Sequence, residues 1–359
     1  MKDSKMKAGT VQLEGNKLLH HLDKVESWKN GEIINPIYVA FSPSSLCNHK
    51  CTFCVYHYKK FEPIFFPLDR YRQLIEEFST LGVRSLFFAG DGDPLLNKHC
   101  VEMIELTREH GIDVAMNTNG YLMKDGDHAR LARDLDWIRF SVNGGDRSTY
   151  ASIHQTSEKD FDKVIVNIEK LVSAKKEIGS EIVIGVQCVL LNENKDSIAA
   201  LAYKLKDIGV DYLAVKPFLK HPKTEWTCEL ENKSKVLSEL TKLHKLNDGN
   251  FSFHLREANF GNFAERGYKR CLSGRFMIEI DARGDVYSCG PYIGDSNHNY
   301  GNILKTPFSE VWQSDACREK IQAIQDNLDV SKCMPNCRPN SVNETLWQLK
   351  NPPKHINFI

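Results

Sequence analysis

Long apolar runs, an excess of charge and internal repetition are all missing from this chain of 359 residues. No apolar stretch approaches the roughly 20 residues that span a bilayer, and Met1-Lys2-Asp3-Ser4-Lys5 leads into no signal-peptide core. A membrane partner is therefore not expected, and a cytoplasmic location is. Lys plus Arg equals Asp plus Glu at 47 each, which removes the generic electrostatic attraction to nucleic acid. The basic cluster at 216–223 survives that average, but it reads equally well as solvated loop. With 41% hydrophobic and 26% charged residues the chain has the make-up of an ordinary globular protein, so disorder is expected only at its ends. Cysteine is too scarce for a disulfide scaffold of this length. Eleven cysteines are nevertheless too many to be incidental in a reducing compartment, and they suggest metal or redox work.

Those cysteines are unevenly placed. Three fall within eight residues, Cys47-Asn48-His49-Lys50-Cys51-Thr52-Phe53-Cys54, and five crowd the last quarter at Cys271, Cys289, Cys317, Cys333 and Cys337. Cys100, Cys188 and Cys228 stand alone and read as small buried hydrophobes.

The chain order is an alternation of short apolar runs with helical patterns. Residues 1–35 read as an N-terminal arm or short helix. Strands are expected at 37–41, 85–89, 113–117, 137–142, 182–190 and 212–215. Between them, helices are expected near 68–81, 100–109, 128–135, 161–177 and 197–208, with Gly82, Gly111 and Gly209 placed as stops. Near-continuous apolar strands in six βα units indicate a parallel sheet covered on both faces, an α/β fold built as a partial (β/α)6 TIM-type barrel over 36–220. From Lys216 the repeat stops. A connecting segment, 221–270, leads to a small α+β domain over 271–359, opened by a hairpin with its turn at Asp281-Ala282-Arg283-Gly284. A helix is expected over 308–324 and an extended tail near 351–354.

Thiolates spaced by three and two residues on one loop can converge on a single centre. Zinc is one reading, with His49 as a fourth ligand. An iron–sulfur cluster is the other, and three ligands would leave one iron open to a substrate. The pattern Cys47-x3-Cys51-x2-Cys54, with the aromatic Phe53 before the third cysteine, resembles the signature of the radical S-adenosylmethionine (SAM) enzymes. That resemblance implies a 4Fe-4S cluster on Cys47, Cys51 and Cys54 that binds SAM, whose reductive cleavage yields a 5'-deoxyadenosyl radical. It also implies an external electron donor such as flavodoxin or ferredoxin. Gly90 and the run Asp91-Gly92-Asp93-Pro94 stand where the family has Gly-Gly-Glu-Pro, which holds the methionine ammonium; here Asp91 and Asp93 replace Gly and Glu. Phe53 is expected against the adenine. Ser141 and Asn143, with Asn117 and Asn119, stand at strand ends where cofactor contacts fall, although each is also an ordinary turn former.

The later cysteines resemble the auxiliary-cluster extension called SPASM, or twitch in its shorter form. The resemblance implies a second 4Fe-4S cluster on Cys271, Cys289, Cys333 and Cys337, with Cys317 left as a buried helix residue. Four protein ligands leave no open iron, which suits electron transfer and hence oxidation of the substrate. A base would assist, and Lys216, His254, Arg256 and Glu257 are candidates. The expected substrate is a polar small molecule: a carbohydrate, an aminocyclitol or a nucleotide-linked sugar. A peptide maturase is the alternative, against which stand the missing further cysteine pairs and the absence of room for a leader-binding domain. A zinc- or cluster-stabilised binding protein without SAM chemistry is the third reading.

Overall fold

Alternation inside the strands, masked in the sequence by their high apolar content, sorts the whole molecule. The computed structural model describes residues 15–59, 61–260, 266–335 and 337–358; the first 14 residues of the expected arm lie outside them. Ten strands form one sheet: β1 (Tyr38–Phe41), β2 (Ser85–Phe88), β3 (Asp113–Thr118), β4 (Trp137–Ser141), β5 (Val183–Leu190), β6 (Tyr212–Pro217), β7 (Ser252–Leu255), β8 (Met277–Ile280), β9 (Asp285–Tyr287) and β10 (Asn299–Asn302). Their spatial order is β10-β9-β8-β1-β2-β3-β4-β5-β6-β7. Every pairing from β8 to β7 is parallel, and β9 and β10 add an antiparallel edge.

One parity of each strand faces the helices. Val39 and Phe41, Leu86 and Phe88, Ile138 and Phe140, and Leu213 and Val215 join one apolar core with Tyr71, Leu74, Ile75 and Phe78 of helix Leu68–Leu81. That helix buries one stripe at helical spacing and stops at Gly82, whose positive φ of 72° lets its N–H reach the carbonyls of Phe78 and Ser79. Truncating one such core ring, Phe88 for example, costs about 3–5 kcal/mol. The other parity lines the barrel interior, with Tyr38, Phe87, Ala115 and Trp137 as an apolar floor.

The structure corrects the element map in three places. The repeat does not end at β6: β7 lies in the expected connecting segment and pairs with β6, while β8 pairs with β1 as well as forming the expected hairpin with β9. Among the described residues eight parallel strands therefore stand side by side, the expected six flanked by β7 and β8, and because β7 and β8 do not pair with each other the sheet remains the expected partial barrel. Residues 251–255 carry only a short apolar-polar alternation, since an edge strand needs one buried face. The helix expected over 308–324 is two, Phe308–Gln313 and Asp315–Asn327, because Ser314 is extended and caps the second by accepting from the Cys317 N–H. Finally, an unforeseen helix, Asn340–Lys350, packs with Leu22–Lys29, the short helix expected near the N-terminus: Val25, Trp28 and Leu346 share a core with Leu272 and Phe276.

Candidate active site

The loop carrying the first three cysteines runs from the end of β1 and is held at many points. Lys50 and Thr52 donate backbone hydrogen bonds to His154 and Ile153 at the end of helix Arg147–His154, and a bridge between Ser44 and Phe65 closes the loop. The loop after β2 presses against it. A Cβ on Gly92 would stand 2.4 Å from the carbonyl oxygens of Ser44 and Leu46, and one on Gly90, at φ 138°, would stand 2.3 Å from Ser42 Cβ. Both glycines are therefore demanded by close backbone approach. Asp93 clamps this junction: its carboxylate accepts from Leu95 N, Asn119 N and Thr118 Oγ1. The Asp91 carboxylate is taken by Ser42 Oγ at 2.8 Å and by Lys59.

Cys47, Cys51 and Cys54 converge. Burial raises all three thiols, Cys47 to about 12, and for Cys51 the neighbouring Cys47 and Cys54 push in the same direction. Three half-buried thiols gathered on one loop form a donor set for a cationic centre, and they fit an iron–sulfur cluster. Cys51, His49 and His154 also place ligand atoms within 4.8 Å of one another. The hydrogen bonding of His154 argues against its acting as a ligand. Its Nε2 accepts from both Asn143 N (3.2 Å) and Asn143 Nδ2 (3.1 Å), and burial holds the ring neutral, so the proton sits on Nδ1, facing Cys51 Sγ at 3.3 Å. The amide orientation is set because Asn143 Oδ1 accepts from Val189 N at 2.7 Å. His154 thus directs an N–H at the Cys51 sulfur, where it would donate to a thiolate ligand of a cluster, and no feature of the sequence marked it. Replacing it with Leu should move the midpoint potential of this cluster by roughly 60 mV to the negative, the shift given by a tenfold change in a one-electron equilibrium. Redox titration followed by electron paramagnetic resonance reads that shift, and His154→Gln, which keeps a donor, should restore most of it.

The second set also gathers at one place. The Cys289 thiol is pushed well up by burial, then by Cys271, Cys337 and Cys333. Each of the other three sulfurs meets a polar group: Asn343 Nδ2 at 3.5 Å from Cys271, Arg266 Nη1 at 3.4 Å from Cys337, and Tyr292 hydroxyl at 3.8 Å from Cys333. Donors aimed at thiolates suit an iron–sulfur cluster. Cys317 lies apart, fully buried on its helix.

Both sets border one cavity of about 1180 Å³, lined by Cys47, Cys51 and Cys54 on one side and by Cys289 and Cys337 on another. The family models agree with this arrangement: the radical SAM superfamily matches residues 41–212 and an iron–sulfur cluster-binding domain matches 271–339. The chain carries a radical SAM domain followed by an iron–sulfur cluster-binding domain. Among curated relatives, the mycofactocin maturase MftC of Mycolicibacterium smegmatis is 25% identical over 320 residues, covering 86% of this chain and 78% of that protein. The tungsten-containing aldehyde ferredoxin oxidoreductase cofactor-modifying protein of Pyrococcus furiosus is 25% identical over 187 residues, 51% of each chain. This chain spans about half the length of two of the curated relatives it matches, 51% and 55%. Streptococcus suis SuiB bound to precursor peptide SuiA shares the fold, with a TM-score of 0.65 at 16% identity over 90% of this chain and 75% of that one.

A radical SAM domain implies a 4Fe-4S cluster and SAM, and the C-terminal domain implies auxiliary iron–sulfur binding. Of the residues expected around SAM, Phe53, Gly90, Gly92, Asp93, Asn117, Asn119, Ser141 and Asn143 line the cavity. Their polar atoms are not equally available. The Asn119 amide bridges Asn48 Oδ1 and Tyr121 N, and Asn143 is consumed by Val189 and His154, whereas Asn117 Oδ1 is buried without a partner. Lys216, His254, Arg256 and Glu257 line the same cavity from β6, β7 and the turn beyond it. Sequence reasoning missed four other residues there: Arg139 on β4, Gln187 on β5, Glu279 on β8 and Arg338. Strand parity is the signal that finds the first three, since each shares a face with known cavity residues. Among the described residues no helix is long and apolar enough to cross a membrane.

Proposed function

We propose that this chain oxidises a polar small molecule, a carbohydrate, aminocyclitol or nucleotide-linked sugar, held in the barrel between its two cysteine sets. The observation that carries this reading is Glu279, a buried carboxylate on β8 in the wall of the one cavity that both sets border. Cys47, Cys51 and Cys54 would hold a cluster that, reduced by a donor such as flavodoxin or ferredoxin, would supply a 5'-deoxyadenosyl radical from SAM, while a cluster on Cys271, Cys289, Cys333 and Cys337 would offer an electron acceptor.

Turning an alcohol carbon into a carbonyl removes one hydrogen atom, one proton and one electron. Glu279 is the group positioned to take the proton. Burial pushes its carboxyl up to about 7 against the pull of Arg338, which suits a base working near neutral pH. Tyr38, Phe87 and Trp137 form the dry floor, and Asn117 Oδ1 offers an unused acceptor. The apolar floor excludes water from the reacting carbon, and the acceptor orients a hydroxyl or amide.

The alternative is peptide modification. It is favoured by the alignment with the maturase MftC over 86% of this chain and by the fold shared with SuiB, whose structure holds a precursor peptide. Incubation with substrates deuterated at single carbons decides between them. Deuterium entering 5'-deoxyadenosine from a sugar or cyclitol supports oxidation of a small molecule; deuterium transferred only from peptides sinks it.

A further inference from the structure

Three cations reach the cavity from strands other than β8. Arg139 stands on β4, Lys216 near the end of β6 and Arg256 just beyond β7. Arg139 is set in place by construction. Its guanidinium lies 5.0 Å from the Trp137 ring centroid, and its Nε donates to the Tyr212 hydroxyl at 2.9 Å. Tyr212 can lie across β5 because residue 185 is glycine: a Cβ there would sit 2.0 Å from Tyr212 Cζ.

Among the described residues Lys216 and Arg256 have no such side-chain hydrogen bonds. Among the described residues neither side chain makes an ion pair. Burial pushes Lys216 down to about 7, and the charges that act on it, Arg139, Arg256 and Arg338, are all of its own sign and push the same way. The carboxylates of the cavity are engaged elsewhere. Glu257 accepts from Thr241 Oγ1, Glu279 faces Arg338, and Asp93 is closed by Leu95, Thr118 and Asn119. Gathered positive charge in a desolvated wall without a counter-charge is costly, and an anion entering the cavity relieves it. A guanidinium fork beside an ammonium is a donor set for the oxygens of a phosphoryl or carboxylate group.

We propose that Lys216 and Arg256, backed by Arg139, form a subsite for an oxyanion, phosphoryl or carboxylate, carried by the substrate. The substrate then lies with its anionic end against β4, β6 and β7 and its reacting carbon toward the three-cysteine loop and Glu279. This rests on the reading above that the cavity holds a small polar molecule, and among the classes named there it favours those bearing a phosphate or a carboxylate over neutral sugars.

The test is calorimetric titration of the anaerobically reconstituted enzyme, with SAM present, using sodium pyrophosphate in one arm and sodium succinate in the other. Saturable binding of at least one is expected, and the arm that binds names the group. Lys216→Met and Arg256→Gln should each weaken it by about tenfold or more, the worth of a charge-assisted contact. SAM affinity should stay within about twofold of its original value, and Lys216→Arg, which keeps the charge, should keep the binding. Absence of saturable binding by the unaltered enzyme overturns the proposal, as does equal binding by the variants. Loss of SAM affinity in step with the anion also overturns it, because the cations would then serve the SAM carboxylate. The readout needs no turnover, so failure to oxidise any small molecule would leave the anion subsite standing.

Discussion

Replacing Cys47, Cys51 and Cys54 together with Ala should remove about half of the roughly eight irons expected of two four-iron clusters and abolish reductive SAM cleavage. The three thiols lie on one loop and act on one another, whereas the second set is gathered around Cys289 by other elements, so the second cluster should assemble without the first. Iron analysis and chromatographic detection of 5'-deoxyadenosine read the two effects separately. Cleavage that persists in the triple variant refutes the ligand assignment. Cys317→Ala is the control: that thiol is buried on helix Asp315–Asn327 beside Arg275, so its loss should leave the iron content unchanged.

Glu279→Gln should lower product formation by about 10²–10⁴-fold, the usual contribution of a positioned base, while leaving SAM cleavage intact. The amide keeps the shape of the side chain and cannot accept a proton. In the unaltered enzyme the rate should rise with pH through about 7, because burial raises this carboxyl and only its ionised form is a base. The variant should lose that rise. A few-fold effect with the pH profile preserved would remove Glu279 from the chemistry and weaken the case for net oxidation, since epimerisation or crosslinking places different demands on a base.

The regular elements were the most legible part of the chain. Helices Leu68–Leu81 and Cys100–Glu109 have the bounds that apolar spacing and a following glycine indicate, because both buried stripe and stop signal are local. Strands β1 to β6 stood out for a similar reason: their helix-facing parity is so apolar that the runs read as continuous. The same feature hid the interior. Arg139 sits inside Trp137-Ile138-Arg139-Phe140-Ser141, and Glu279 inside Met277-Ile278-Glu279-Ile280, each a charge in an apolar run whose orientation depends on which neighbours the strand acquires. The pairing of β8 with β1 joins segments some 240 positions apart in sequence, and it sets Glu279 opposite Ala40, in the wall of the cavity that the first three cysteines also line. The break at Ser314 is not legible in the sequence, because a single residue's extended backbone is decided by what the two helices pack against.

By itself, the sequence determined the family, the parallel sheet and the two groups of cysteines, since spacing on one loop and periodicity within one segment are local properties. Only the tertiary structure decided that both groups border one cavity, that His154 carries its proton toward Cys51, and that Lys216 and Arg256 face it without a carboxylate. These depend on contacts between distant strands, where the choice of partner and register, rather than residue type, sets which side chains meet.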